Sequence, residues 1–177
     1  MWQTISSKEV FSHPRLTLIE DEVVLPNGVK TSYLKFRELG NAVTVICRNE
    51  KNQILLQREY SYPPNRDLYQ FLGGFVPSDE NISAGANREL MEEAKLFSNT
   101  LVSLGEYLVN NRRSNAKMFV FLATDLEERA LPGDPEEVIE SFWFEESEID
   151  QMIVCGEIVN PHVLASWTLY KLKKSMN

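Results

Sequence analysis

One acidic segment constrains this chain more than any other. The segment GGFVPSDENISAGANRELMEEAKLF covers residues 73–97 and contains Glu89, Glu92 and Glu93. On a helix these three side chains fall within about one turn of each other. Like charges at such spacings repel and destabilise a helix by about 0.2–0.5 kcal/mol per pair. The fold must therefore contain something that offsets this repulsion.

Two arrangements of the three glutamates are physically reasonable. In the first, the side chains spread into solvent and pair with Arg88, Lys95 and their neighbours, as on many charge-rich helices. In the second, they converge on a divalent cation, because Mg²⁺ is bound in proteins by carboxylate and carbonyl oxygens. The charged residues of the helix alone leave both arrangements open.

Three helices are predicted along the chain. The first runs from Ser83, a plausible N-cap, to Phe97, with an apolar stripe that includes Ala86 and Leu90. A short helix is predicted over residues 146–154. A longer one begins at Asn160-Pro161, where a cap residue precedes a proline in the first turn.

Runs of β-branched and aromatic residues predict strands before the first helix, at residues 42–47, 53–58 and 66–72, and after it, at residues 117–126 and 139–145. Residues 1–40 form a β-rich leader with two extended runs around the turn signal at residues 26–28. Strands interspersed with helices predict an α/β (α+β) sandwich. Two domains are predicted. The first is the leader at residues 1–40, which is a possible dimerisation element, and the second covers residues 41–177.

Charge and composition exclude several classes of function. The formal net charge of −8 argues against broad binding to nucleic acid or to an anionic membrane. No apolar run approaches the roughly 18 residues of a membrane span, and the N-terminus does not resemble a signal peptide. Two cysteines, Cys47 and Cys155, cannot form a disulfide framework or a zinc site, which favours a cytoplasmic protein.

The residues flanking the three glutamates resemble the Nudix box, the signature of the Nudix hydrolases. The match consists of seven positions at fixed spacing: Gly74, Glu80, Arg88, Glu89, Leu90, Glu92 and Glu93. This resemblance implies a Nudix-type α/β/α sandwich around a mixed sheet, preceded here by an antiparallel β leader. The leader, the segment LLQREYSYP and the C-terminal GEIVNPHVLASWTLYKL are similar to the ADP-ribose and nucleoside-diphosphate-sugar pyrophosphatase branch.

The resemblance implies a metal-dependent hydrolase that cleaves the diphosphate bond of a nucleoside diphosphate linked to another moiety, X. Mg²⁺ or Mn²⁺ is the expected cofactor. The implied metal ligands are Glu89, Glu92, Glu93 and the carbonyl of Gly73, and Arg88 is expected to orient the glutamates. Within this set, Glu92, Glu93 and Arg88 are the expected catalytic residues.

The same resemblance implies a general base and a set of phosphate contacts. The base is expected in the loop GDPEEVIE, where Glu137 or Glu136 is the candidate, although acidic surface loops are common without function. The expected substrate-binding residues are Arg58, Arg66 and Arg113, because arginine binds phosphate bidentately. Arg112 and Lys117 are further possible contacts, and each of these cations alone is also compatible with an ordinary surface charge.

Some positions depart from the pattern of the branch. Lys95 replaces the glycine that usually ends the box helix, so either lysine adopts a left-handed conformation or the helix continues through Phe97. Ser61 replaces an arginine that would approach the substrate, and Ala116 replaces a loop glutamate that is common just before the strand of Phe119. These changes leave the metal ligands intact and weaken ADP-ribose as the specific substrate.

The remaining expectations concern partners and alternatives. A homodimer is expected, because two-fold pairs are the commonest oligomers and the leader exchanges between subunits in similar proteins. The expected partner is a small nucleotide, with no nucleic acid and no membrane. The alternatives are a hydrolase of dinucleotides or nucleoside triphosphates, and a nucleotide-sugar sensor that has lost turnover.

Overall fold

The structure is a computed structural model that describes residues 1–37, 40–136 and 138–176. Its contacts divide the chain into two units: Met1–Leu39 with Leu108–Ala116, and Gly40–Tyr107 with Lys117–Asn177. The segment Leu108–Ala116 falls within the predicted 41–177 domain, and its contacts group it with the leader. No helix in the described residues is long and apolar enough to cross a membrane.

The first unit is a three-stranded antiparallel sheet of β1 (Gln3–His13), β2 (Leu16–Val24) and β3 (Lys30–Phe36), in the order β1-β2-β3. The predicted turn joins β2 to β3, and the amide of Leu25 donates to the carbonyl of Val29 at 2.8 Å. All eleven residues of β1 are exposed, so its sequence lacks the buried alternation that would have distinguished it as a separate strand.

The second unit contains two sheets, and it confirms the predicted mixed sheet. Its strands are β4 (Gly40–Cys47), β5 (Ile54–Ser61), β6 (Arg66–Gln70), β7 (Phe75–Pro77), β8 (Leu96–Leu108), β9 (Lys117–Glu128) and β10 (Ile139–Phe144). One sheet has the order β7-β4-β9-β8, with β4 parallel to β9 and antiparallel to β7. The other is antiparallel, with the order β10-β5-β6.

Side chains that alternate along β4 enter two separate core clusters. Val43 and Val45 pack in the cluster that contains Ala86 and Leu90 of the first helix. Ile46 packs in the other cluster, together with residues of the last two helices. The four-stranded sheet therefore contributes one face to each cluster, as the predicted sandwich requires.

The last two helices begin where the sequence predicts. Helix α2 covers Glu146–Val154, and helix α3 covers Pro161–Ser175. The side chain of Asn160 caps α3 by accepting the amide of His162 at 2.9 Å. Trp167 and Tyr170 are buried on the inner face of α3, so packing holds this helix on the sheet.

The first helix differs from its prediction at both ends. Helix α1 covers Ile82–Glu89, and its N-cap is Asn81 rather than Ser83. A single π-helical turn, Leu90–Ala94, continues it. The helix ends there because Lys95 adopts a left-handed conformation, with φ of 58°, and the chain turns directly into β8. The predicted extension through Phe97 is therefore wrong.

Candidate active site

A glycine pair, Gly73-Gly74, lies directly against the first strand of the four-stranded sheet. The carbonyl of Gly74 accepts the amide of Val43 at 2.9 Å. A Cβ added to Gly73 would lie 2.0 Å from the carbonyl oxygen of Val43, and the φ of Gly73 is +143°. A Cβ on Gly74 would lie 2.7 Å from both carboxylate oxygens of Glu89. Glycine is therefore required here, since any side chain would displace either β4 or a predicted metal ligand.

Arg88 connects the acidic side chains of the box. Its Nε and Nη2 donate to the two carboxylate oxygens of Glu80 at 3.0 and 3.1 Å. Its Nη1 donates to Glu89 at 2.8 Å and to Glu92 at 3.0 Å. The remaining Nη2 donor binds the carbonyl of Phe75 at 3.0 Å. The guanidinium group has five N–H donors, so this network uses all of them.

This network shows how the helix accommodates its like charges. Hydrogen bonding to Glu80, together with the negative charge of Glu89, raises the pKa of Arg88 further above its ordinary value. Glu89 is only 8% exposed, so its carboxylate depends on partners within the protein. Two carboxylates, those of Glu89 and Glu92, meet at a single cationic nitrogen of Arg88.

Glu93 lies on the same π-helical turn but faces the glycine pair. The amide of Gly73 donates to a carboxylate oxygen of Glu93 at 3.2 Å. Burial, and secondarily the charge of Glu93, raise the pKa of the Cys47 thiol on β4. Both cysteines are free thiols, so Cys47 is a buried apolar residue rather than a site of chemistry.

The donor atoms of the box suit a hard divalent cation. Glu89, Glu92, Glu93 and the carbonyl of Gly73 offer oxygen only, which is the ligand that Mg²⁺ and Mn²⁺ prefer. Within residues 1–37, 40–136 and 138–176, no group of three or more histidine, cysteine, aspartate or glutamate side chains is arranged so that it could hold a metal ion. Mg²⁺ usually takes only one or two carboxylates from the protein and fills its shell with substrate phosphates and water. The residues present therefore fit the ion.

The predicted phosphate-binding arginines have different surroundings. Arg58 on β5 pairs with Glu140 on β10 and lies 5.5 Å from the centre of the Phe142 ring. Arg66 is exposed at the start of β6. Arg113 belongs to the first unit, where it donates to the carbonyl of Leu34 at 3.1 Å. Their contacts with substrate stay predictions.

The predicted general base cannot be placed in the same way. Glu137 lies outside the described residues. The alternative, Glu136, is exposed, and its amide binds the side chain of Asp134 at 2.9 Å. The role of either residue stays a prediction.

A small pocket adjoins the glycine pair on the side of α3. Its volume is about 120 Å³, and the glycine pair forms part of its wall. Phe71, Met118 and Val163 give it an apolar lining, and Asn160 and His162 contribute polar groups. No aspartate, glutamate, lysine or arginine lies among its described lining residues. We call this cavity the α3 pocket.

His162 is held in the α3 pocket by Tyr107 of β8. The Tyr107 hydroxyl lies 3.2 Å from Nδ1 of His162, and the two rings stack at an interplanar angle of 18°. The same hydroxyl lies 3.4 Å from the hydroxyl of Ser166. Burial lowers the pKa of His162, so its imidazole is neutral at pH 7. No sequence motif marks this residue, although the cap at Asn160 places it in the first turn of α3.

Comparisons with known families cover nearly the whole chain. A family model described as NUDIX domain matches residues 38–165. A second model, described as the nucleoside diphosphate sugar hydrolase N-terminal domain, matches residues 2–33. The division into a leader at 1–40 and a second domain at 41–177 stays a prediction.

The individual relatives share about a third or less of their residues with this chain. An ADP-ribose pyrophosphatase of Bacillus subtilis (strain 168) is 27% identical over 136 residues, which are 75% of this chain and 73% of that protein. A methanol dehydrogenase activator of Bacillus methanolicus is 32% identical over 91 residues, or 51% of this chain and 49% of that protein. A crystal structure of an ADP compounds hydrolase has a TM-score of 0.85, with 21% identity, and covers 96% of this chain and 92% of its own.

Proposed function

The chain belongs to the Nudix family of pyrophosphohydrolases, and we propose that its substrate is a nucleoside diphosphate linked to a sugar. The observation that carries this proposal is the arrangement around Arg88, where the carboxylates of Glu89 and Glu92 meet, with Glu93 beside the glycine pair. Such a group of oxygen ligands is suited to a cation that also binds a diphosphate. It explains how a protein of net charge −8 can bind an anionic substrate.

The proposed reaction is the addition of water to one phosphorus of the diphosphate. A new P–O bond forms to the water oxygen, and the bond from phosphorus to the bridging oxygen breaks. The products are a nucleoside monophosphate and a sugar phosphate, and a base of the protein accepts the proton of the water. Bound divalent ions would neutralise the phosphate charges and lower the pKa of the attacking water.

We assign the residues different roles in this reaction. Glu89, Glu92 and Glu93, with the carbonyl of Gly73, would hold the metal, which we propose is Mg²⁺ or Mn²⁺. Arg88 keeps the carboxylates in position through its five hydrogen bonds and its charge. Glu137 is our candidate for the base, and Arg58, Arg66 and Arg113 are our candidates for phosphate contacts.

The choice of a nucleotide sugar comes from the leader and the relatives. The leader matches the N-terminal domain of nucleoside diphosphate sugar hydrolases, and one relative is an ADP-ribose pyrophosphatase. We therefore propose ADP-ribose as the first compound to test, followed by other nucleotide sugars. We also propose that the protein is a cytoplasmic homodimer. The exposed edge strand β1 supports the dimer, because an unpaired strand edge readily binds a second chain.

A substrate panel tests this proposal. The purified protein, with Mg²⁺ or Mn²⁺, is given ADP-ribose, other nucleotide sugars, dinucleotides and nucleoside triphosphates, and the release of nucleoside monophosphate is measured. We expect turnover of at least one nucleotide sugar. If dinucleotides or nucleoside triphosphates were cleaved preferentially, they would replace nucleotide sugars as the proposed substrate class. No turnover of any compound would favour a sensor.

The variant Glu93→Gln tests the assigned site directly. It keeps the size of the side chain but removes a negative charge, and we expect kcat to fall about a thousandfold or more, which corresponds to several kcal/mol. The matched control is Glu127→Gln, which removes a glutamate paired with Arg129 at the surface. Equal activities of the two variants would contradict the role of Glu93.

A further inference from the structure

The α3 pocket adjoins the proposed metal ligands. Gly73 forms part of its wall, and the amide of the same residue binds the carboxylate of Glu93. A substrate whose diphosphate is held by the box therefore has one of its ends next to this cavity. Whole-ligand sites usually have volumes of about 300–1,000 Å³, so a cavity of about 120 Å³ takes only one part of such a molecule.

The chemistry of the lining indicates which part it takes. No charged side chain lies among the described lining residues, so nothing in the pocket neutralises a phosphate. The nucleobases are planar and aromatic, whereas a sugar has an apolar C–H face and a rim of hydroxyl groups. The pocket offers both kinds of contact, because Phe71, Met118 and Val163 give it an apolar lining and Asn160 and His162 contribute polar groups.

His162 has one ring nitrogen available for a ligand. Its Nδ1 is engaged by the Tyr107 hydroxyl, and its Nε2 has no hydrogen-bond partner in the described part of the chain. A neutral imidazole offers one donor and one acceptor, and the Tyr107 contact decides which of these remains at Nε2. A hydroxyl group can pair with either form, since it both donates and accepts.

We propose that the α3 pocket binds the neutral sugar next to the diphosphate and that His162 determines specificity by binding one of its hydroxyl groups. The inference rests on the proposed function, because it assigns one end of the proposed substrate. His162 is thereby a specificity residue and takes no part in breaking the P–O bond. Asn160 fixes its position, since the cap bond at 2.9 Å holds the His162 backbone.

Two substrates separate this role from a structural one. ADP-ribose carries a sugar on its distal phosphate, whereas the methyl ester of ADP has the same diphosphate bond and no sugar there. For His162→Ala we expect kcat/KM to fall about tenfold with ADP-ribose, mainly through KM, and to stay unchanged with the methyl ester. His162→Gln, which keeps a hydrogen-bonding side chain, is expected to recover part of the loss.

The control is His13→Ala, which removes the other histidine of the chain from the exposed strand β1. It is expected to leave both substrates unaffected. An equal fall with both substrates for His162→Ala, or no fall with either, would overturn the assignment. If the wild-type protein cleaves neither compound, ADP-ribose is not its substrate and the proposed function depends on the other nucleotide sugars of the panel, while the next measurement still decides the pocket.

Proton NMR provides that measurement without turnover. The chain has two histidines, so their imidazole Cε1–H signals can be assigned with His13→Ala. We expect ribose 5-phosphate at millimolar concentration to shift the His162 signal, and methyl phosphate to leave it in place. A shift with both compounds, or with neither, would show that the pocket does not recognise a sugar.

Discussion

Helix α3 and the α1–π segment, residues 82–94, pack against the same sheet in different core clusters. Helix α3 is regular over fifteen residues, begins at a cap and a proline, and buries Trp167 and Tyr170. One of its charged residues, Lys171, is partly buried and pairs with Asp150 at 2.9 Å. Helix α3 is therefore held mainly by apolar packing.

The α1–π segment depends much more on polar contacts. It has only eight α-helical residues before the π-helical turn, and it carries three glutamates, of which Glu89 and Glu92 pair with Arg88. π-Helical turns are rare and occur frequently at functional sites. This fold therefore tolerates an irregular, charged helix where ligands are expected and has a regular helix on the other side of the sheet.

The largest difference is expected between two cation substitutions. Arg88→Met leaves the 8%-exposed Glu89 without its arginine partner, so we expect it to lower the free energy of unfolding by about 3 kcal/mol. Lys171→Met removes a pair with Asp150 that is partly open to solvent, and we expect it to cost less than about 1 kcal/mol. Urea unfolding of both variants checks this. Equal costs would mean that the two helices are stabilised in the same way.

Glycine substitutions give the next largest effect. In Gly73→Ala the new Cβ would lie 2.0 Å from a backbone oxygen of β4, and we expect a loss of about 2 kcal/mol. In Gly156→Ala, which follows α2, the Cβ meets no atom within 4 Å, and only its φ of +79° is unfavourable. That variant should lose about 1 kcal/mol. If thermal unfolding showed that Gly156→Ala is less stable than Gly73→Ala, the result would contradict the close approach of Gly73 to β4.

The two asparagine caps are expected to be alike. Asn81 accepts the amides of Ser83 and Ala84 at 3.0 and 3.1 Å, and Asn160 accepts the amide of His162. Substitution of either asparagine by alanine should cost about 1 kcal/mol in chemical denaturation. If Asn81→Ala loses much more stability than Asn160→Ala, the α1–π segment depends on its N-cap more than on the contacts of Arg88.

The smallest effect concerns the end of the π-helical turn. Lys95→Gly relieves a left-handed lysine, and we expect a net gain of about 0.5 kcal/mol after the extra flexibility of the unfolded chain. Lys173→Gly, in the last turn of α3, should instead lose about 1 kcal/mol. Thermal unfolding measures both variants. If Lys95→Gly also loses stability, Lys95 makes a contact that stabilises the fold by more than its left-handed backbone destabilises it.

The sequence predicted the regular parts of the fold well, because their signals are local. The caps and periodicity located α2 and α3, and β-branched runs located β4, β5, β9 and β10. It did not predict β8 or β1, whose polar and exposed residues give no buried alternation. The predicted end of the first helix, at Phe97, was wrong for two reasons. The sequence did not indicate the π-helical turn, and Lys95 occupies a position that usually requires glycine.

The site could be predicted only where a spaced motif exists. The box located its glutamates and Arg88, but the full set of five hydrogen bonds depends on the carbonyl of Phe75, which no motif marks. His162 was missed because its partner Tyr107 lies 55 residues away and reaches it only after β8 packs beside α3. Contacts of this kind depend on tertiary structure rather than on local sequence.

Saturation of the Arg88 guanidinium means that a metal ion would share its carboxylate ligands with a cation of the protein. One oxygen each of Glu89 and Glu92 accepts a hydrogen bond from Nη1, so a divalent ion at either carboxylate would bind beside the arginine. The arginine acts as a resident counterion, and chelating agents should remove activity while the protein stays folded. Affinity for the ion should therefore rise when a diphosphate arrives with additional oxygen ligands.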